Sequence, residues 1–493
     1  MRLFRLAGRF SLLVPLLIGL TSCTRTTVPL TNLQVPVPIV PLIFEPIEND
    51  FSGKTWSAAF EKLHAKLSVE YPFTDWKAID WDGLYKTYAP QVEKAQDDGD
   101  RRAYYTALRG YLWSLRDGYV DLDPAYRARV DAVGGGYGFA VVDVEDGKYL
   151  VHVLEEDGPA AQAGMEWGAE LIAWNGVPVA EALDAVSVLW ADQPSPTTEA
   201  KHLEQIRFLT RAPAGTEAEV TFKNPDRATP WVAKLEAVDD RFRTLDASVR
   251  FNEEAGEFSI PVKEEMLPEN VGYIRLSFLG MSMATPFPAR SFQNALTKFE
   301  KAECAGLIID LRGNPGGAEE LAPQFAGHFT QEERFYRHAS VFNQKENEHQ
   351  IDPARDLSIT PREPYWGKPV IVIVENLTMK AAEGLAAALQ RRPNVRLMGH
   401  HSTHGSYGIV GGTATMPGNF TLHYPIGKNL GAMGHAVIEG NADGEGGVHP
   451  DIHLPLTKEM VEAQFVQGGD PLRQAAVDLL MGETGAEDVV GGE

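Results

Sequence analysis

A multidomain α+β fold is predicted for this 493-residue chain from three observations. Apolar residues recur at helical spacing between residues 50 and 118. A glycine-punctuated, β-rich stretch follows from 132 to 238, and strand and helix patterns then alternate from 270 to 480. The length suits roughly two to four domains, each large enough for its own core. Apolar content is 44% and charged content 23%, as in ordinary globular proteins. The formal net charge is −23, and no basic run occurs beyond the first ten residues. That argues against a nucleic-acid partner, because a phosphate-binding face needs clustered Lys and Arg.

The first 22 residues read as a processing segment. Arg2, Arg5 and Arg9 precede a short apolar run over 11–20, too short for a comfortable membrane span. Leu20-Thr21-Ser22-Cys23 resembles a bacterial lipobox. The resemblance implies cleavage before Cys23, a diacylglycerol on its thiol and attachment to a membrane through that lipid. The expected location is therefore the cell envelope, on the outer membrane or the periplasmic face; Thr24 lacks the aspartate often associated with inner-membrane retention. Residues 23–45, rich in Thr, Pro and Val, read as an extended tether. Cys304, beside an apolar strand pattern and without a second cysteine to pair with, is expected to be a small buried hydrophobe. Residues 483–493 form an acidic, Gly-rich tail expected to stay disordered.

Residues 46–131 are expected to form a helical domain. Trp56, Phe60, Leu63 and Leu67 share a helical face, as do Tyr104, Leu108 and Leu112. Tyr71-Pro72-Phe73 and Asp98-Gly99-Asp100 mark breaks. Residues 132–238 carry Gly136-Tyr137-Gly138-Phe139-Ala140-Val141. Gly158-Pro159-Ala160-Ala161-Gln162-Ala163-Gly164 follows, and then the Asn175-Gly176 turn. This order of loop, helix and turn resembles a PDZ domain, with Ala169 where Asp is common. The amides of such a glycine loop form a nest for a terminal carboxylate, and the strand edge accepts an added strand. Tyr137, Gly138, Phe139 and Ala140 are thus the expected peptide-binding residues.

From 239 to 482 the chain reads as an α/β core. Strands are expected at 271–276, 307–311, 369–374 and 395–398, and a helix is expected through Phe292, Leu296 and Phe299. A hairpin is expected over 413–424 through Pro417-Gly418-Asn419. Asp310-Leu311-Arg312-Gly313-Asn314-Pro315-Gly316-Gly317 and Thr378-Met379-Lys380-Ala381-Ala382-Glu383 resemble the oxyanion turn and nucleophile segment of the tail-specific, or C-terminal processing, serine peptidases and their tricorn-core relatives. The resemblance covers most of the chain after residue 50 and includes Asp80-Trp81-Asp82-Gly83-Leu84-Tyr85 in the helical part. It implies a ClpP/crotonase-type core and protein C-termini as partners.

The residues at the decisive positions depart from that pattern. Matched on Ala381, Ala382 and Glu383, the family's serine falls on Lys380. The histidine base of the tricorn-like branch falls on Tyr119, in Asp117-Gly118-Tyr119. The stretch from Gly399 to Gly408 lacks the lysine base of the other branch. A tyrosine is a poor base, and a lysine amine attacks only when its pKa falls. Gly316 and Gly317 remain candidates for oxyanion donors, or for a turn kept for folding alone. Thr378 is a fallback nucleophile, with Ser402 and Ser406 as further hydroxyls. Glu383, Asp443 and Glu445 are candidate partners for Lys380. His400, His401 and His404 have no recognised ligand spacing, so neither a metal nor a cofactor is expected. The expected function is peptide or C-terminus binding on a proteolytically degenerate frame. The alternatives are an active serine-type or Thr/Lys-dependent endopeptidase and a purely structural envelope protein.

Overall fold

The computed structural model describes residues 48–123, 126–249 and 258–482. The processing segment, Cys23, the tether and the acidic tail lie outside the described residues. The described residues form one compact unit. Among the described residues no helix is long and apolar enough to cross a membrane.

The core sheet is built from near-continuous apolar runs. Its strand order is Val262–Met266, Gly272–Leu276, Leu307–Asp310, Val370–Ile373, Val395–Gly399 and Ile452–His453. The first pairing is antiparallel and the rest are parallel. A parallel sheet is covered on both faces, so alternate residues serve two cores. Leu307, Ile309, Val370, Val372 and Leu397 pack under helices Pro288–Lys301 and Ala381–Gln390. Ile308, Ile371, Ile373 and Met398 pack against Leu472, Ala476 and Val477 of helix Pro471–Met481. Cys304 is buried in the first of these cores as a free thiol.

Helices Trp56–Glu70, Trp81–Asp98 and Arg101–Trp113 follow the expected periodicity, with Phe60, Leu63, Leu67, Tyr104, Leu108 and Leu112 buried. They pack on a second sheet made chiefly of Arg334–Asn343, Gly408–Met416 and Phe420–Leu430, through Ala414, Met416, Leu422 and Tyr424. Asp121–Leu122 pairs directly with that sheet's Phe420–Leu430 strand. The turn after helix Arg101–Trp113 is thereby carried to the edge of the core.

The glycine-rich middle forms an antiparallel sheet in the order Phe139–Asp143, Tyr149–Leu154, Glu170–Trp174, Glu217–Lys223, Trp231–Glu236. Helix Thr198–Leu209 covers it through Ile206 and Leu209. Helix Tyr126–Val133 runs across the expected 131/132 boundary. The ribbon Gly135–Gly136, Arg211–Ala212, Val238–Asp239 closes the module's base. Phe139–Asp143 ends its sheet, so among the described residues no strand pairs with its outer ladder edge.

Candidate active site

The strand Val370–Ile373 turns through Glu375–Thr378 into helix Ala381–Gln390, and Lys380 occupies the tip. Its backbone sits at φ 57°, ψ −122°, a sparsely populated conformation for a side-chain-bearing residue that persists only when neighbours hold it. Glu383 is the main restraint. Its fully buried carboxylate accepts from Lys380 N–H at 2.7 Å, Thr403 Oγ at 2.7 Å, Gly405 N–H at 2.6 Å and Ser406 N–H at 3.0 Å. Burial raises the Glu383 pKa to about 7, while these donors pull it down.

The glycine turn meets the elbow closely. Met379 N–H donates to Asn314 O at 2.9 Å. A Cβ on Gly316 would lie 2.7 Å from Lys380 Cβ, and one on Gly317 would lie 2.0 Å from Leu279 O, so both positions need glycine. Gly316 N–H, one of the two expected oxyanion donors, donates to Asn314 Oδ1 at 2.9 Å. Gly317 N–H and Ala381 N–H have no partner among the described residues. Ala381 N lies 3.0 Å from the Cβ position of Gly316, which places the first amide of the elbow helix against the glycine turn. The free donor pair is therefore Gly317 with Ala381. Sequence reasoning missed Ala381 because an alanine amide carries no side-chain signal.

Asp310-Leu311-Arg312, upstream in the same motif, holds the fold. Arg312 is buried, bidentate to Asp310 and again to Asp470, the N-cap of helix Pro471–Met481. The motif thus divides: its charged half locks two elements together, and its glycine half shapes the cleft.

Lys380 Nζ stands 4.9 Å over the ring of Tyr119. With the Gln193 amide oriented to satisfy its neighbours, its nitrogen donates to Gly118 O at 2.9 Å and its oxygen accepts from Lys380 Nζ at 3.2 Å. Burial lowers the Lys380 pKa, opposed by the charges of Asp117, Asp121 and Glu383. Burial also drives the Tyr119 pKa well above its usual value, reinforced by Glu319 and Glu383, so its phenol stays protonated. Lys380, Tyr119, Gly316, Gly317 and Gln193 line one cleft of about 870 Å³. The described lining contains no serine, threonine or cysteine.

The fallback hydroxyls are committed elsewhere. Thr378 is fully buried, donates to Leu311 O at 2.9 Å and accepts from Glu375 N–H, which turns it away from the cleft. Ser402 Oγ pairs with His449 Nδ1 at 2.7 Å, and Ser406 Oγ with His404 Nδ1 at 2.6 Å; neither serine lines the cleft. Asp443 and Glu445 do not reach Lys380. Their backbone N–H groups donate to Asn441 Oδ1, outside the cleft. Among the described residues no His, Cys, Asp or Glu group is placed to hold a metal ion.

In the β-rich module, Tyr137 is buried edge-on to Trp174, and its carbonyl accepts from Ala160 N–H. Gly138 takes φ 83°, and its carbonyl accepts from Glu155 N–H. Phe139 and Ala140 are buried on the sheet's terminal strand, and His202 on the covering helix reaches Asp143 at 3.3 Å.

A strand-to-helix elbow abutting a glycine turn with two free amides is the frame of an acyl-transfer enzyme of the α/β class. Residues 270–454 match the model of peptidase family S41. That stretch holds the parallel strands of the core sheet, the glycine turn and the elbow. The chain is 25% identical over 327 residues to the carboxy-terminal processing protease CtpB of Bacillus subtilis, covering 65% of this chain and 55% of that one. CtpA of the same organism is 25% identical over 328 residues, covering 65% and 59%. The match therefore spans less than two thirds of these two relatives. The fold is similar to mature CPAF, with a TM-score of 0.63 over 88% of this chain and 98% of that one at 14% identity.

Proposed function

We propose that this chain is a proteolytically silent member of the C-terminal processing peptidase family, and that it binds extended peptides or protein C-termini. The observation that carries this reading is the elbow itself. Where an acyl-transfer enzyme needs a hydroxyl or thiol, the cleft offers the Lys380 amine against the Tyr119 ring and no Ser, Thr or Cys among its described lining. The same geometry suits a carboxylate: the Lys380 amine and Gly317 line one cleft, and the Ala381 amide stands against its glycine turn. A peptide's terminal carboxylate there would resemble a cleaved product that is held and not turned over. The outer ladder edge of Phe139–Asp143 supports a second contact by strand addition. Lipidation at Cys23 would tether this binding activity to the envelope.

The test incubates the protein with an unfolded substrate protein ending in apolar residues, alongside Lys380→Ala. No cleavage, together with saturable binding of the corresponding C-terminal peptide, is the expected result. Cleavage that Lys380→Ala abolishes would sink the reading and make Lys380 part of a working site.

A further inference from the structure

Next to the cleft, the segment between strand Gly272–Leu276 and helix Pro288–Lys301 exposes large apolar side chains: Met281 at 74%, Met283 at 65% and Phe287 at 68%. This exposure is rigidly held. Leu279 N–H donates to Gly316 O and Leu279 O accepts from Ala318 N–H, both at 2.7 Å, so the segment is stitched to the glycine turn of the cleft. Ser282 and Thr285 then bond each other's backbone in a tight turn that carries Met283 outward. A hollow of about 570 Å³ lies here, with Met281, Phe287 and Leu321 among its walls. It shares the lining residues Ala318 and Glu320 with the cleft, so the two adjoin each other. At its rim Arg290 and Arg362 form no ion pair among the described residues.

We propose that this hollow is the side-chain subsite of the cleft. In it the Met281–Phe287 patch takes apolar side chains of the peptide whose carboxylate sits at Lys380, and Arg290 and Arg362 take an acidic side chain beside them. The inference rests on the peptide-binding reading above and adds a selectivity to it: apolar segments with an acidic neighbour. Methionine suits such a surface because its unbranched, polarizable side chain repacks around different apolar partners. A held apolar patch adjoining a polar anchor is the arrangement of small-ligand and peptide sites generally.

The test measures fluorescence anisotropy of labelled decapeptides with a free C-terminus. One carries Leu, Phe and a Glu within its last seven residues, a second has Leu and Phe replaced by Ser, and a third has Glu replaced by Lys. The unmodified protein is expected to bind the first at least about tenfold more tightly than the second, and several-fold more tightly than the third. Met281→Ser/Phe287→Ser, at two exposed positions, is expected to erase the first preference and keep the difference between free and amidated C-termini. Arg290→Ala/Arg362→Ala is expected to erase the preference over the Lys peptide. An unchanged apolar preference in the Met281/Phe287 variant overturns the subsite. So does a loss of self-association in that variant with no effect on peptide, which would make the patch an interface between copies. If no peptide binds the unmodified protein at all, the underlying binding reading fails instead, and the subsite with it.

Discussion

The Lys380 ammonium lies 4.9 Å over the Tyr119 ring, so the two positions that the family resemblance assigns to nucleophile and base face each other across one cleft. A cation–π contact occupies the place of a proton-transfer pair. Neither partner is the Ser, Thr or Cys nucleophile of acyl-transfer enzymes. The phenol is held protonated by burial, and a lysine amine does not hydrolyse an amide by acyl exchange. Restoring only one partner leaves the pair incomplete. Lys380→Ser alone is expected to stay unreactive toward a fluorophosphonate probe. Lys380→Ser/Tyr119→His is expected to label, at a rate about 10²-fold or more above the single variant, the usual contribution of a positioned base. Equal labelling of the two variants would show that residue 119 does not face the elbow in solution.

The carboxylate reading has a sharp chemical contrast. Lys380→Met keeps the length and the contact with Tyr119 but removes the charge. Affinity for a peptide with a free C-terminus should fall about tenfold to a hundredfold, the scale of a charge-assisted hydrogen bond in a partly desolvated site. Affinity for the C-terminally amidated peptide should barely change. Isothermal titration of both peptides checks this, and a parallel loss for both would remove Lys380 as the anchor.

Gly317 is the least replaceable point of the turn. It sits at φ 133°, and a Cβ there would lie 2.0 Å from Leu279 O, a backbone atom that cannot step aside without breaking the Leu279–Ala318 bond. Gly317→Ala is expected to cost about 3 kcal/mol or more, on the scale of special-conformation glycines and overpacking combined. It should also abolish cleft binding while leaving the β-rich module folded. Urea unfolding followed by tryptophan fluorescence, read beside the peptide titration, tests both halves. A fully stable variant with intact binding would mean that the turn yields readily to an added methyl group.

Much of the core was legible because period and burial agree. Leu307, Ile308, Ile309 and Leu311 form a run too apolar for a half-exposed strand, and the structure buries both of its faces. Lys380 stood out because a strand pattern stops before it and a helix pattern begins after it. The donor pair was only half legible. Which glycine amide stays free depends on where Asn314 aims its side chain, and a backbone N–H such as Ala381's has no signature in the sequence. Gln193 reaches the cleft from the β-rich module, far along the chain from both Tyr119 and Lys380, so only the tertiary fold brings the three together. Thr378, the fallback nucleophile, spends its hydroxyl locally: it closes the elbow's own turn and bonds the neighbouring strand end.

The loop behind the elbow makes stability depend on acid in a defined direction. His404 is buried beside Ser406, and its pKa is pushed down to about 3 by burial, then by the charges of Lys380 and Lys77. In the unfolded chain its pKa returns to about 6.5. Between those values the unfolded chain binds a proton that the folded chain refuses, so this group's contribution is intact above pH 6.5 and drains away as pH falls toward 3. At about 1.4 kcal/mol per unit of pH, the loss reaches about 2 kcal/mol by pH 5. Glu383 acts with the opposite sign. Its pKa is raised to about 7, so its folded state gains a proton that the unfolded state lacks between pH 4.5 and 7. Net acid stability therefore cannot isolate His404, but a paired comparison can. His404→Gln should be less stable than the unmodified protein at pH 7, where a buried hydrogen bond to Ser406 is disturbed. The gap should narrow by about 2 kcal/mol at pH 5, as the unmodified protein alone meets the cost of excluding a proton. Urea midpoints for both proteins at the two pH values decide it. A gap that stays constant would mean His404 titrates normally, and that the loop holding Glu383 is open to water.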